Sequence, residues 1–338
     1  MPANLTPQYL AAEKRFKESS TLQEKMEALE EMMATIPKHK GTEKMQADLR
    51  RRMAKLQAEV GKKHGISKAS AMYSVRREGA GQVVLVGAPN TGKSSLLAKL
   101  THASPEIGDY PFTTRLPQPG MMPFENIQVQ IVDMPPIAPE FYEPWMGGIV
   151  RGADLALLIV DVNSDEALEE VDGVLKILEG SRIELVKVLP EEDKTDPSRP
   201  VLRPCLMIAN KVDTERAEEI LQIVREFYQS QFEILPVSAL TGDRIENLRR
   251  TIFDRLEIVR VFTKAPGKKA DLDSPPFVLK SGSTVVDAAR AVHRDLAQTF
   301  KFARMWSSEK SKRSVKFDGQ MVERTHRLED GDILELHE

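Results

Sequence analysis

The chain has a single cysteine, Cys205, in 338 residues. That excludes an internal disulfide framework and fits a reducing compartment. Cys205 lies within an apolar run, so a buried, inert thiol is expected rather than a nucleophile. No run approaches the ~18 apolar residues of a membrane span. The first residues also lack the apolar core of a secretory leader, and the expectation is a cytosolic protein. The six histidines are scattered without ligand spacing, which argues against a structural metal site. Neither charge sign dominates: the net charge is −3 with 29% of residues charged, ordinary for a soluble protein. The length suffices for two or three domains with a substantial core.

What is present is concentrated in Gly87-Ala88-Pro89-Asn90-Thr91-Gly92-Lys93-Ser94. This match to G-x-x-x-x-G-K-[ST] sits between the β-branched run 82–86 and the helix-forming run 95–100. In that context the glycines let backbone wrap a phosphate with successive N–H groups pointing inward. Lys93 can reach the terminal phosphates, and the Ser94 hydroxyl can ligate Mg²⁺. The loop predicts a nucleoside triphosphate and leaves the base open.

The base is addressed by Asn210-Lys211-Val212-Asp213, which follows the apolar run 205–209. A carboxylate there can accept from guanine N1–H and its exocyclic amine, donors that adenine lacks; the wrong base would leave it unpaired. Between the two motifs, Asp133 closes the apolar run 127–132, where P-loop proteins place the carboxylate that holds Mg²⁺ through water. Asp109-Tyr110-Pro111-Phe112-Thr113-Thr114 offers a hydroxyl able to close onto the metal. Ser238-Ala239-Leu240, after the run 232–237, supplies a backbone-rich edge for guanine O6.

In order and wording these pieces resemble the Obg superfamily of GTP-binding proteins, most closely its developmentally regulated GTP-binding (DRG) branch. Residues 110–114 are similar to that superfamily's switch I. From Val259 onward the chain resembles a TGS domain, a ubiquitin-like β-grasp module, in Val261-Phe262-Thr263-Lys264, Ser274-Pro275-Pro276-Phe277-Val278-Leu279 and Leu328-Glu329-Asp330-Gly331-Asp332-Ile333. The nucleotide-binding set is then Gly87, Ala88, Pro89, Asn90, Thr91, Gly92, Lys93, Ser94, Ser95, Phe112, Thr113, Thr114, Asp133, Asn210, Lys211, Asp213, Ser238, Ala239 and Leu240. Ser94 and Thr114 are expected to ligate Mg²⁺ directly, with Asp133 behind water. Lys93, Thr114 and Asn90 are the candidate catalytic groups. In K⁺-dependent relatives an asparagine placed like Asn90 helps hold a potassium ion beside the phosphates. The alternative is that Asn90 only tolerates a tight turn, and the residues leave both open.

The expected fold is α/β: a P-loop G domain with a mostly parallel sheet over 79–258, preceded by an α-helical hairpin domain with its linker over 1–78 and followed by the β-grasp module over 259–338. Leu22, Met26, Leu29, Met33 and Ile36 form one apolar stripe, and Met45, Leu49, Met53, Leu56 and Val60 a second, able to bury each other. Thr21-x-x-Glu24 reads as a capping box. Residues 189–204 read as an exposed, proline-rich loop. In the C-terminal module a strand is expected at 277–279, a helix over 284–295 and a closing strand over 332–336.

Two departures bear on turnover. The family's Asp-x-x-Gly is here Asp133-Met134-Pro135-Pro136, and proline has no N–H to give a γ-phosphate. Ile137 stands where many GTPases carry a water-orienting glutamine. The leading expectation is a regulatory GTPase whose loops around Thr114 and Pro136 change with nucleotide. The rivals are a nucleotide-gated binding module without meaningful turnover and an ATP-using P-loop enzyme. Basic residues Lys38, Lys40, Lys44, Arg50, Arg51, Arg52, Lys55, Lys62, Lys63 and Lys68, with Lys301, Arg304, Lys310, Lys312, Arg313 and Lys316 in the C-terminal module, mark either solvated faces or surfaces for ribosomal or other RNA.

Overall fold

The computed structural model describes residues 7–18, 22–36, 45, 49, 51–53, 73–101, 116–190, 199–272, 274–307 and 315–337. The chain forms two compact units, Met1–Ser74 and Val75–Glu338. In the first, helices α1 (Pro7–Glu18) and α2 (Leu22–Thr35) contribute Tyr9, Ala12, Leu29 and Met32 to a small core that also takes in Ile36 and Leu49. Of the expected stripes, Leu29, Met33 and Ile36 and Met45, Leu49 and Met53 share this core, and α1 joins them; the side chains of Leu22, Met26, Leu56 and Val60 lie outside the described ones. Thr21 of the expected capping box lies outside the described residues. So do Lys38, Lys40, Lys44, Arg50, Lys55, Lys62, Lys63 and Lys68 of the basic stretch, and Lys310, Lys312 and Arg313 of the C-terminal one.

The second unit begins with a seven-stranded sheet. Its strands are β1 (Gln82–Val86), β2 (Gln118–Phe124), β3 (Ile127–Asp133), β4 (Leu155–Asp161), β5 (Ile183–Val186), β6 (Val201–Asn210) and β7 (Glu233–Val237). The order is β2-β3-β1-β4-β6-β5, with β7 also on β6. Only β2 runs antiparallel to its neighbour. The ten-residue β6 serves both partners: Val201–Pro204 pairs with β5 and Leu206–Asn210 with β7.

Alternation along the buried strands sorts side chains onto two faces. Val84, Val86, Leu158 and Met207 face α4 (Pro144–Gly152), α5 (Ala167–Gly180) and α6 (Ala217–Tyr228). Val83, Leu85, Leu157 and Ile208 face α3 (Lys93–Leu100) and α7 (Ile245–Arg255).

A five-stranded sheet follows, from β8 (Ile258–Thr263), β9 (Phe277–Lys280), β10 (Phe302–Ser307), β11 (Gln320–Val322) and β12 (Asp332–His337), ordered β11-β10-β12-β8-β9. The helices α8 (Val285–Val292) and α9 (Leu296–Thr299) cover one face, around Phe300, Met305 and Leu334. Thr284 caps α8 in a reciprocal box with Asp287. The helix stops at Val292 rather than reaching residue 295, because His293 is extended at φ −160°. Arg260, at the start of this module, is buried over the Phe253 ring. It donates to Asp330 and also to Glu125 and Asn126 in the β2–β3 turn. The second sheet is thereby fastened to the first.

The structure also corrects the reading of 189–204 as loop throughout, since β6 begins at Val201. Pairing with β5 carries the strand through Arg203 and Pro204.

Candidate nucleotide-binding site

β1 ends at Val86 and the chain turns at once through 87–92 into α3. Two glycines are required here by close approach. A Cβ on Gly87 would stand 2.6 Å from the Ile159 carbonyl oxygen, and one on Gly92 2.3 Å from Asn210 Nδ2. Gly92 also has φ +89°, which L side chains rarely adopt. Asn90, exposed at the bend, has φ +61°, a conformation asparagine tolerates well.

Lys93 is almost wholly buried and donates to the carbonyls of Ala88 at 2.6 Å and Gly87 at 3.1 Å. Burial pushes its ammonium pKa down to about 8, against the opposing charges of Asp133 and Glu170. The Ser94 hydroxyl donates to Asp133 Oδ2 at 2.6 Å. Asp133 is fully buried at the end of β3, and among the described residues its Oδ1 has no hydrogen-bond partner. Burial raises this carboxyl to about 6, although the Ser94 bond and the Lys93 charge pull it down. A hydroxyl beside a carboxylate with an unmatched oxygen is a hard-oxygen donor set, and it fits Mg²⁺.

The other half of the site stands at the ends of β6 and β7. A pocket of about 570 Å³ is lined by Gly92, Ser95, Lys99, Asn210, Lys211, Asp213, Ala239 and Leu240, among others. Ser238 donates its hydroxyl to Asp213 Oδ1. Leu240 stands 77% exposed at the rim. The Asn210 amide donates to the Thr91 carbonyl at 2.9 Å, while its oxygen accepts from Ala239 N–H at 3.0 Å. Both of its ends thus bond protein, and it staples the phosphate loop to the 238–240 loop.

The structure brings together every described member of the expected set, from Gly87 to Ser95 and Asp133, with Asn210, Lys211, Asp213, Ser238, Ala239 and Leu240. Phe112, Thr113 and Thr114 lie outside the described residues. Asp161 was missed. It ends β4 and accepts from the Lys211 ammonium at 2.5 Å, fixing a residue that sits at φ +70°. Its signal was available, because it closes an apolar run just as Asp133 does. As expected, Cys205 is buried, with its thiol pushed up to about 12 by desolvation.

A mostly parallel sheet whose strand ends carry a phosphate loop, a serine bonded to a buried aspartate and an Asn-Lys-x-Asp pocket defines a P-loop guanine-nucleotide-binding domain. The family described as 50S ribosome-binding GTPase matches residues 82–191, and the TGS domain family matches 259–338. An uncharacterized GTP-binding protein of Methanocaldococcus jannaschii is 28% identical, over 93% of this chain and 92% of that one. Ribosome-interacting GTPase 1 of Saccharomyces cerevisiae is 27% identical, over 94% and 99%. Developmentally-regulated G-protein 3 of Arabidopsis thaliana is 24% identical, over 94% and 99%. Over nearly its whole length the chain is thus similar to GTP-binding proteins that include the developmentally-regulated G-proteins, and it carries a GTPase domain of the matching family followed by a C-terminal TGS domain.

Proposed function

We propose that this protein binds GTP with Mg²⁺, hydrolyses it slowly, and uses its nucleotide state to regulate association with the ribosome or its RNA in the cytoplasm. The observation that carries the nucleotide reading is the Asn210 staple, which holds a phosphate loop and a guanine-type pocket in one rigid frame.

In this reading the loop N–H groups and the start of α3 receive the phosphates. Lys93 exchanges its bonds to Gly87 and Ala88 for phosphate oxygens. Asp213, oriented by Ser238, pairs with the guanine edge, while Asp161 holds Lys211 in place. Ser94, Thr114 and Asp133 would hold the magnesium, the last through water. When bound, the ion offsets the charge that develops on the phosphates. Water is left without an orienting side chain at Ile137, which is buried and apolar, and slow turnover follows. A potassium ion beside Asn90 would supply positive charge there.

The ribosomal assignment draws support from the description of the matching GTPase family, from the name of the yeast relative, and from exposed Arg51, Arg52, Lys301, Arg304 and Lys316. Among the described residues no helix is long and apolar enough to cross a membrane.

The test has three arms. GTP but not ATP should displace a fluorescent guanine nucleotide. Phosphate release should be faster in KCl than in NaCl, with the difference lost in Asn90→Ala. GTP-loaded protein should co-sediment with ribosomes at low salt and release steeply as salt rises. Equal displacement by ATP refutes the base assignment, and no ribosome association at any salt refutes the partner. Pro136 and Ile137 favour a second reading, a nucleotide-gated binding module, and phosphate release indistinguishable from buffer would establish it.

A further inference from the structure

The sequence places a mobile loop around Pro136, but the structure shows those residues built into the floor of the site. We infer that residues 134–137 are a fixed brace beneath the phosphate loop that keeps one conformation with GDP and with GTP, so this chain does not read the γ-phosphate through them. The inference rests on the guanine-nucleotide reading above and concerns how that site is regulated.

Three observations converge. The Ile137 N–H donates to the Gly87 carbonyl at 3.0 Å, tying the segment to the first residue of the phosphate loop. That donor is therefore already committed, and Pro136 has none to offer. Next, Met134 and Ile137 are 0% and 1% exposed, packed in one cluster with Val86, Ala88, Met146 and Val150. Moving the segment would expose two large apolar side chains, which costs more than one charge-assisted hydrogen bond to phosphate returns. Finally, the consecutive prolines fix φ at 135 and 136 and restrict the residues before them, so little torsional freedom remains. Just beyond, the Ala138 carbonyl accepts from the Phe141 and Tyr142 N–H groups, and the chain enters α4 at Pro144.

Trp145 reports on this segment. It is the second residue of α4, partly buried against the same cluster, and its indole N–H donates to Glu143 at 2.8 Å. The only other tryptophan, Trp306, lies in β10 and is removed by Trp306→Phe. The full-length Trp306→Phe protein is loaded with GDP or with a non-hydrolysable GTP analogue, and loading is confirmed with fluorescent versions of both. The expected result is the same Trp145 emission and quenching in the two complexes. Ile137 amide exchange in the unsubstituted protein should also differ by less than about twofold between them.

Pro136→Gly restores an N–H and frees φ. Because Met134 and Ile137 stay buried and the Ile137 N–H stays on Gly87, Trp145 emission should remain independent of nucleotide in this variant too, and its triphosphate preference should stay within about twofold of its parent's; a nucleotide-dependent Trp145 shift in it overturns the packing argument. A Trp145 shift in the parent, or a change in Ile137 exchange between nucleotides, overturns the inference. A chain that takes up neither nucleotide overturns the guanine-nucleotide reading itself, and this inference with it.

Discussion

Asn210→Ala tests the frame of the site more directly than any change at the phosphates. The substitution removes a donor from the Thr91 carbonyl and an acceptor from the Ala239 N–H, both inside a buried region: Thr91, Asn210 and Ala239 are all under 5% exposed. Each orphaned group costs about 1–3 kcal/mol, so folding should lose about 2–6 kcal/mol. Nucleotide needs both loops in place, and the cost of ordering one of them moves from folding to binding. That is about 1–3 kcal/mol, a rise in Kd of about 5- to 150-fold. Asn210→Asp is the informative partner. It keeps the size and the acceptor for Ala239 but sets a carboxylate oxygen against the Thr91 carbonyl, and it should do no better than alanine. Urea unfolding followed by circular dichroism gives the first quantity, and titration of a fluorescent GDP the second. If Asn210→Ala stays within about 0.5 kcal/mol of the parent and binds nucleotide within about twofold, the staple is not what joins the two halves.

Asp213→Asn should weaken GTP and favour xanthosine triphosphate, whose O2 matches the new amide, and a competition assay in which base preference is unchanged would contradict the pocket assignment. Ser94→Asn should lose Mg²⁺-dependent affinity for GTP more than for GDP; titration at fixed and zero Mg²⁺ checks it. Arg260→Leu should cost about 2–4 kcal/mol in chemical unfolding, because it removes the buried guanidinium that two of Asp330's side-chain bonds and one of Glu125's depend on. Burial pushes the Asp154 carboxyl up, but the Gln82 N–H, Arg77 and Lys280 outweigh it and hold it below the ordinary 3.8. A depressed carboxylate stabilises above its unfolded pKa and loses that contribution as pH falls through the folded one. The stability gap between parent and Asp154→Asn should therefore be full at neutral pH and shrink below about pH 4, as denaturant midpoints across pH would reveal.

The fold was legible wherever burial on both faces writes itself as a continuous apolar run. β1 and β4 are buried at every position, and both were read correctly. β2 was not, because Pro119, Gly120 and Pro123 read as punctuation. It is an edge strand, where proline is tolerated because an N–H that faces away from the sheet is not missed. β5 has only four residues, too few for a periodic signal. The start of β6 was read as loop because the polar, proline-rich stretch 190–200 runs into it and Pro204 interrupts it; the pairing that makes it a strand comes from residues 183–186.

The site follows the same division, for a reason the sheet supplies. In the neighbouring strands β3, β1, β4, β6 and β7, the residue at the carboxyl end or just beyond it is Asp133, Gly87, Asp161, Asn210 and Ser238. Parallel pairing sends all five ends to one edge, so residues spread over 150 positions of chain meet around a single ligand-sized space. Motifs such as 87–94 and 210–213 are readable because one turn must supply several groups in fixed order. The bonds that lock those motifs together join residues 119 and 50 positions apart, Asn210 to Thr91 and Lys211 to Asp161. No spacing rule contains them. A carboxylate that merely ends an apolar strand looks like solvent punctuation until the neighbouring strand is known. The transferable signal is positional: in an alternating β/α chain, the first polar residue after each apolar run belongs to the site until shown otherwise, and Asp161 is the residue that rule would have recovered.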